Sequence, residues 1–169
     1  MLPLASVPEL YAHAIAIERE AAERYAEFAE RMEDLGNEAT AEVFARLAGF
    51  EAEHLEALLR RTEGVVLPPL SKNDYRWLDA GAPETAAREL VFRLMTPRQA
   101  LAIALRAEQR AQAFFEQVLM SADDPALRGL AREMAAEETE HVVMLEKLLE
   151  TTPGPIVDWA SVYERGASS

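Results

Sequence analysis

Four long amphipathic stretches dominate this chain, and each interrupts its apolar stripe with a glutamate: Glu18, Glu51, Glu108 and Glu138. Side chains recurring every three to four residues on such a stripe face a core. A carboxylate there is costly unless it is paired, and four facing one another cannot all stay ionised without counter-charge. Any fold available to this sequence must neutralise these acids.

The first stretch opens at Ser6-Val7-Pro8-Glu9, a capping box in which the Ser side chain accepts from an early amide and the Glu reaches back. Its inner face is expected to carry Leu10, Ala14, Ala21 or Ala22, Tyr25, Phe28 or Ala29 and Met32, with Arg19, Glu20, Glu23, Glu27 and Glu30 on solvated sides. Gly36 suits a left-handed helix terminus and Asn37 suits the next N-cap. The second helix runs to about Arg61 with Phe44, Leu47, Ala48, Leu55 and Leu58 inward, and Gly64 closes it.

Residues Val65 to Thr96, with Pro68-Pro69 and Pro83, read as a crossover. Its second part, Pro83 to about Met95, places Ala86 or Ala87, Leu90, Val91 and Leu94 at helical spacing, predicting a short extra helix. Thr96-Pro97 starts a third helix running to about Met120, with Leu101, Ala104 or Leu105, Ala111, Phe115 and Val118 or Leu119 inside. Asp124-Pro125 starts a fourth, with Leu127, Leu130, Met134, Val142, Leu145 and Leu149 inside, and Pro153-Gly154-Pro155 ends it. A short turn, a long crossover and a second short turn predict two antiparallel pairs, with helices two and three parallel. The expected fold class is all-α: a four-helix bundle over residues 1–154 with a long crossover between helices 2 and 3, followed by a tail, 155–169, carrying Ile156, Val157, Trp159, Val162 and Tyr163.

Composition removes several classes of function. A net charge of -13 repels a phosphate backbone, so nucleic acid is an unsuitable partner. No run has the roughly 18 apolar residues of a membrane span and the N-terminus lacks the pattern of a secretory signal, so a cytoplasmic location is expected. The absence of cysteine excludes disulfides, thiol catalysis and Cys-ligated metal from these residues.

Two of the three histidines follow a stripe glutamate by three residues, as Glu51-x-x-His54 and Glu138-x-x-His141, which places each pair on one helical face. Two divalent cations would balance four carboxylates, and two neutral imidazoles would add ligands without disturbing that balance. Mixed oxygen and imidazole ligation suits iron or manganese, with zinc as a further alternative. The candidate metal ligands are therefore Glu18, Glu51, His54, Glu108, Glu138 and His141. The halves repeat: Glu18-x6-Tyr25 parallels Glu108-x6-Phe115. Tyr25 is either a core aromatic or a hydroxyl bonded near the metals. His13, with no Glu three residues before it, is expected at the surface or partly packed, and Glu53 and Glu140 in solvent.

With these residues in place, the chain resembles the rubrerythrin-like branch of the ferritin-like superfamily over nearly its full helical length. Such carboxylate bundles take one Glu from each of two helices and a Glu-x-x-His from each of the others. The resemblance implies a ferritin-like fold and a non-haem site of two iron ions reacting with peroxide or dioxygen. Full-length rubrerythrins add a Cys-ligated rubredoxin domain that supplies electrons. These residues hold no cysteine, so an external donor such as a separate rubredoxin or flavoprotein is expected. Family members with peroxidase activity tend to carry a further carboxylate one turn beyond the third-helix ligand, where this chain has Ala111.

The leading expectation is a diiron oxidoreductase of peroxidase or ferroxidase type acting as a homodimer. The alternatives are iron handling or storage in a larger assembly, a diiron hydroxylase, and a dimanganese catalase.

Overall fold

The computed structural model describes residues 4–70 and 92–155. Among them, four long helices carry the architecture: α1 (Val7–Asp34), α2 (Glu38–Arg61), α3 (Pro97–Ser121) and α4 (Pro125–Thr151). No strand occurs among the described residues, and none of their helices is long and apolar enough to cross a membrane. The extra helix expected over 83–95 falls mostly outside the described residues, where only 92–94 are seen to be helical. The tail from Ile156 also lies outside them.

Sequence signals place the helix ends well. The Ser6 hydroxyl accepts from the Glu9 amide at 3.4 Å, while the Glu9 carboxylate accepts from the Ala5 amide at 2.7 Å, one residue earlier than the capping box predicts. Thr96 accepts from the Gln99 amide, and Asp124 from the amides of Ala126 and Leu127, so α3 and α4 each begin with a side-chain cap and a proline. Gly36, at φ +74°, lets the Asn37 amide reach back to the Met32 carbonyl. Asn37 itself departs from expectation. Its side chain does not cap α2; its Nδ2 donates to the Phe92 carbonyl at 3.0 Å and the Met95 carbonyl at 2.7 Å. Thr40 donates to that same Met95 oxygen at 2.8 Å.

This clamp seats the end of the crossover on the bundle. Phe92 and Met95 are buried, while Leu94, expected on the inner stripe, is 65% exposed. At the same end, Arg98 donates to the carbonyls of Leu149 and Thr152, meeting the free carbonyls that close α4.

The helix directions follow from two hydrophobic clusters. One joins the start of α1 (Leu10, Ala14), the end of α2 (Leu58), the end of α3 (Phe115, Val118) and the start of α4 (Leu127, Leu130). The other joins Met32, Phe44, Leu101 and Leu145 from the opposite helix ends. Thus α1 is antiparallel to α2, α3 to α4, and α2 runs parallel to α3, as the short-long-short connections require. Each stripe glutamate sits where one apolar cluster gives way to the other.

Two surface assignments change. His13 is buried, its Nδ1 2.9 Å from the Glu9 carbonyl and its ring stacked on Phe114 at 5.5 Å. Glu20 is half-buried rather than fully solvated. Both lie on α1, whose buried face is wider than a single stripe because it also takes in Ala12, Ile15 and Ile17.

Candidate metal centre

Between the two apolar clusters, the six residues assemble into two groups of identical composition. Glu18, Glu51 and His54 bring one ligand atom each within 4.8 Å of one another, and Glu108, Glu138 and His141 do the same. Each group draws on one antiparallel helix pair, which explains the paired sequence pattern: the unpaired Glu comes from the first helix and the Glu-x-x-His from the second.

The groups face each other. The His54 and His141 rings stack with centroids 4.5 Å apart and planes 19° from parallel. His141 Nδ1 lies 3.2 Å from both Glu108 and Glu138, whereas His54 Nδ1 lies 3.9 Å from Glu18. The carboxyl groups are also linked to one another, Glu18 to Glu51, Glu51 to Glu108 and Glu108 to Glu138. One oxygen each of Glu18 and Glu138 is buried without a hydrogen bond among the described residues. Glu138 keeps an ionic contact to His141, so its orphaned oxygen lacks a well-directed donor rather than a neighbour.

Electrostatics shows the cost of this arrangement without cations. Burial, reinforced by the like charge of neighbouring glutamates, pushes Glu18 and Glu138 up to about 8. Burial and the facing Glu108 push Glu51 up to about 11. Burial also opposes ionisation of Glu108, but its hydrogen bonds to His141 and Glu138 outweigh that and hold it below the usual carboxylate range. His141 shows the matching response: burial disfavours its cation, and Glu108 and Glu138 overcome this, raising it to about 10. His54 is lowered, by burial first and then by repulsion from His141. Without metal, the cluster holds protons in place of missing positive charge.

A divalent pair fits this donor set. Four carboxylates and two imidazoles are hard and borderline ligands suited to such ions, and the orphaned oxygens of Glu18 and Glu138 provide unused acceptors. The carboxylate side borders a cavity of about 20 Å³ lined by Ile17, Ala21, Ala107 and Ala111 together with the four glutamates. This is room for roughly one water-sized occupant. Ala111 thus leaves open space where a longer side chain would project.

Tyr25 is fully buried and stacks on Phe44 at 6.0 Å. Among the described residues its hydroxyl has no hydrogen bond, and its pKa is raised well above the ordinary phenol value by burial and by the charges of all four glutamates. It is a core aromatic whose polar end faces the centre's field. Glu53 and Glu140 are exposed, as expected. Phe50 is the contact that sequence reasoning missed: its ring lies 4.3 Å from His54 and 5.1 Å from His141. Its position one turn before His54 was the available signal.

The Rubrerythrin family model matches residues 9–69, which include Glu18, Glu51 and His54. An uncharacterized conserved protein of known structure from Magnetospirillum magnetotacticum MS-1 is 38% identical, with a TM-score of 0.72, and the match covers 90% of this chain and 99% of that one. No curated protein matches the sequence. The two Glu-Glu-His groups, the family model and the shared fold together suggest a binuclear metal site. The chain belongs to the rubrerythrin-like branch of the ferritin-like superfamily.

Proposed function

We propose that Glu18, Glu51, His54, Glu108, Glu138 and His141 bind two iron ions and that the protein is a non-haem diiron oxidoreductase acting on peroxide or dioxygen. The observation that carries this reading is the meeting of two Glu-Glu-His groups whose buried acids must otherwise hold protons. Bound iron would supply one-electron steps at each ion, so a ferrous pair can deliver the two electrons that convert one hydrogen peroxide and two protons into two waters. An external donor, a rubredoxin or flavoprotein type of reductant, restores those electrons.

The protein's own contribution is to hold the ligands and limit what reaches them. His141 is held by Glu108 and Glu138, and the contact between Glu51 and Glu108 joins the two groups, so that these acids would hold both ions within one centre. The cavity beside the carboxylates, with room for about one water, leaves no space for an organic substrate and favours a small oxidant as the only reactant at the centre.

Anaerobic loading with Fe2+ followed by stopped-flow mixing with peroxide tests the reading. Wild type should oxidise the bound iron rapidly, and a Glu51→Ala, Glu138→Ala double variant should not exceed the rate of free Fe2+. Equal rates in the two proteins would remove the basis for a diiron centre.

A further inference from the structure

The two histidines of the centre are held in different ways. His141 is buried and has two carboxylates at its Nδ1. His54 is the one candidate ligand outside the buried set, with 31% of its side chain exposed. Among the described residues no group hydrogen-bonds its ring, and Glu18 at 3.9 Å is too distant to do so. Ligating histidines ordinarily have their ring orientation fixed by a hydrogen bond from the nitrogen that does not bind metal. His54 has aromatic neighbours instead. Phe50, half-buried and one helical turn earlier, packs on it at 4.3 Å with a 57° tilt, and the His141 ring stacks on it at 4.5 Å. Phe50 also meets the edge of His141 at 5.1 Å and 70°.

From this we infer that Phe50 is a positioning residue for the metal centre: it fixes the His54 ring by aromatic packing, in place of a hydrogen-bonding partner, and covers the centre's most exposed edge. The inference rests on the metal-binding reading above. Phe50 acts through His54 and touches neither metal nor oxidant. Its loss should therefore weaken one ion site, that of Glu18, Glu51 and His54, more than the other. A smaller side chain leaves His54 with only the His141 stack as a ring contact among the described residues, and freer to rotate toward solvent. An aromatic replacement retains the packing surface.

The test is an anaerobic titration with Co2+, followed by its visible absorption, on wild type, Phe50→Ala and Phe50→Tyr. Wild type should bind two ions. Phe50→Ala should bind one with affinity close to wild type and the other roughly 10-fold or more weakly, the scale of losing an orienting contact, and Phe50→Tyr should restore the second. In the metal-free proteins, acylation by diethylpyrocarbonate, mapped by mass spectrometry, should be faster at His54 in Phe50→Ala than in wild type. Two unchanged Co2+ sites in Phe50→Ala would overturn the positioning role while leaving the metal reading intact. Equal weakening of both sites, or no rescue by Phe50→Tyr, would also overturn it, by assigning the effect to general damage. Failure of wild type to bind Co2+ would instead overturn the metal reading on which the inference depends.

Discussion

His54 and His141 stack 4.5 Å apart although 86 positions separate them in the chain and each belongs to a different helix pair. Their contact joins the two Glu-Glu-His groups into one centre. It also sets two imidazoles side by side, so both cannot be cationic at low cost: His141 keeps its proton with Glu108 and Glu138, and His54, already disfavoured as a cation by burial, is pushed further toward neutrality by His141. Binding cations would substitute for these protons, which leads to measurable consequences.

Metal loading should be coupled to proton release. Near pH 7 the metal-free fold retains protons on Glu18, Glu51, Glu138 and His141, whose values are about 8, 11, 8 and 10. Each of these groups binds its proton more tightly in the fold than in the unfolded chain. The resulting stabilisation is full below the unfolded values and is lost as pH rises through the folded ones. The share of metal-free stability that these groups carry should therefore fall as pH rises from the ordinary carboxylate value of 4.5 toward 11, and divalent ions, at about 100 times their dissociation constant, should add about 2.7 kcal/mol per site. Thermal melts across this pH range, and calorimetric metal titrations in buffers of different ionisation enthalpy, check both parts. A pH-independent metal-free melt, or loading without proton release, would contradict the charge accounting.

Glu51→Gln should separate stability from metal binding. With Glu51 pushed up to about 11, its neutral form is the one the metal-free fold contains at neutral pH, and an amide closely imitates it. Metal-free stability should change by no more than about 1 kcal/mol, the net worth of one neutral hydrogen bond. Metal affinity should fall by more than the roughly 10–100-fold typical of outer-shell changes. Urea unfolding with chelator present and a metal titration provide the two readings. Strong destabilisation of the metal-free protein would show that Glu51 is held there as an anion.

Asn37 should matter as a donor to the crossover and not as a cap on α2. Asn37→Ala removes the bonds to the Phe92 and Met95 carbonyls, at a cost of about 1–3 kcal/mol. Asn37→Asp should be no better, because a carboxylate is a good N-cap but cannot donate to a carbonyl. Urea midpoints of the two variants decide the matter. Recovery in the Asp variant would restore the capping role.

The four helices, their ends at Ser6, Gly36, Thr96 and Asp124, and the six polar residues on apolar stripes can all be read from the amino-acid sequence. These properties are local: helical periodicity and cap chemistry operate within a few residues, and a Glu-x-x-His pair shares a face by helix geometry alone. The connection lengths also carried the helix directions, because short turns force antiparallel neighbours. Tertiary structure decided what depends on two distant segments meeting. It diverted Asn37 from its own helix to the carbonyls of Phe92 and Met95, buried His13 against Phe114, and turned Phe92 and Met95 inward in place of Leu94. It also distinguished two histidines that the sequence presents as equivalents. Glu-x-x-His reads the same at both sites, but His141 lies among carboxylates while His54 lies at the half-exposed edge beside Phe50, and only packing between helix pairs creates that difference.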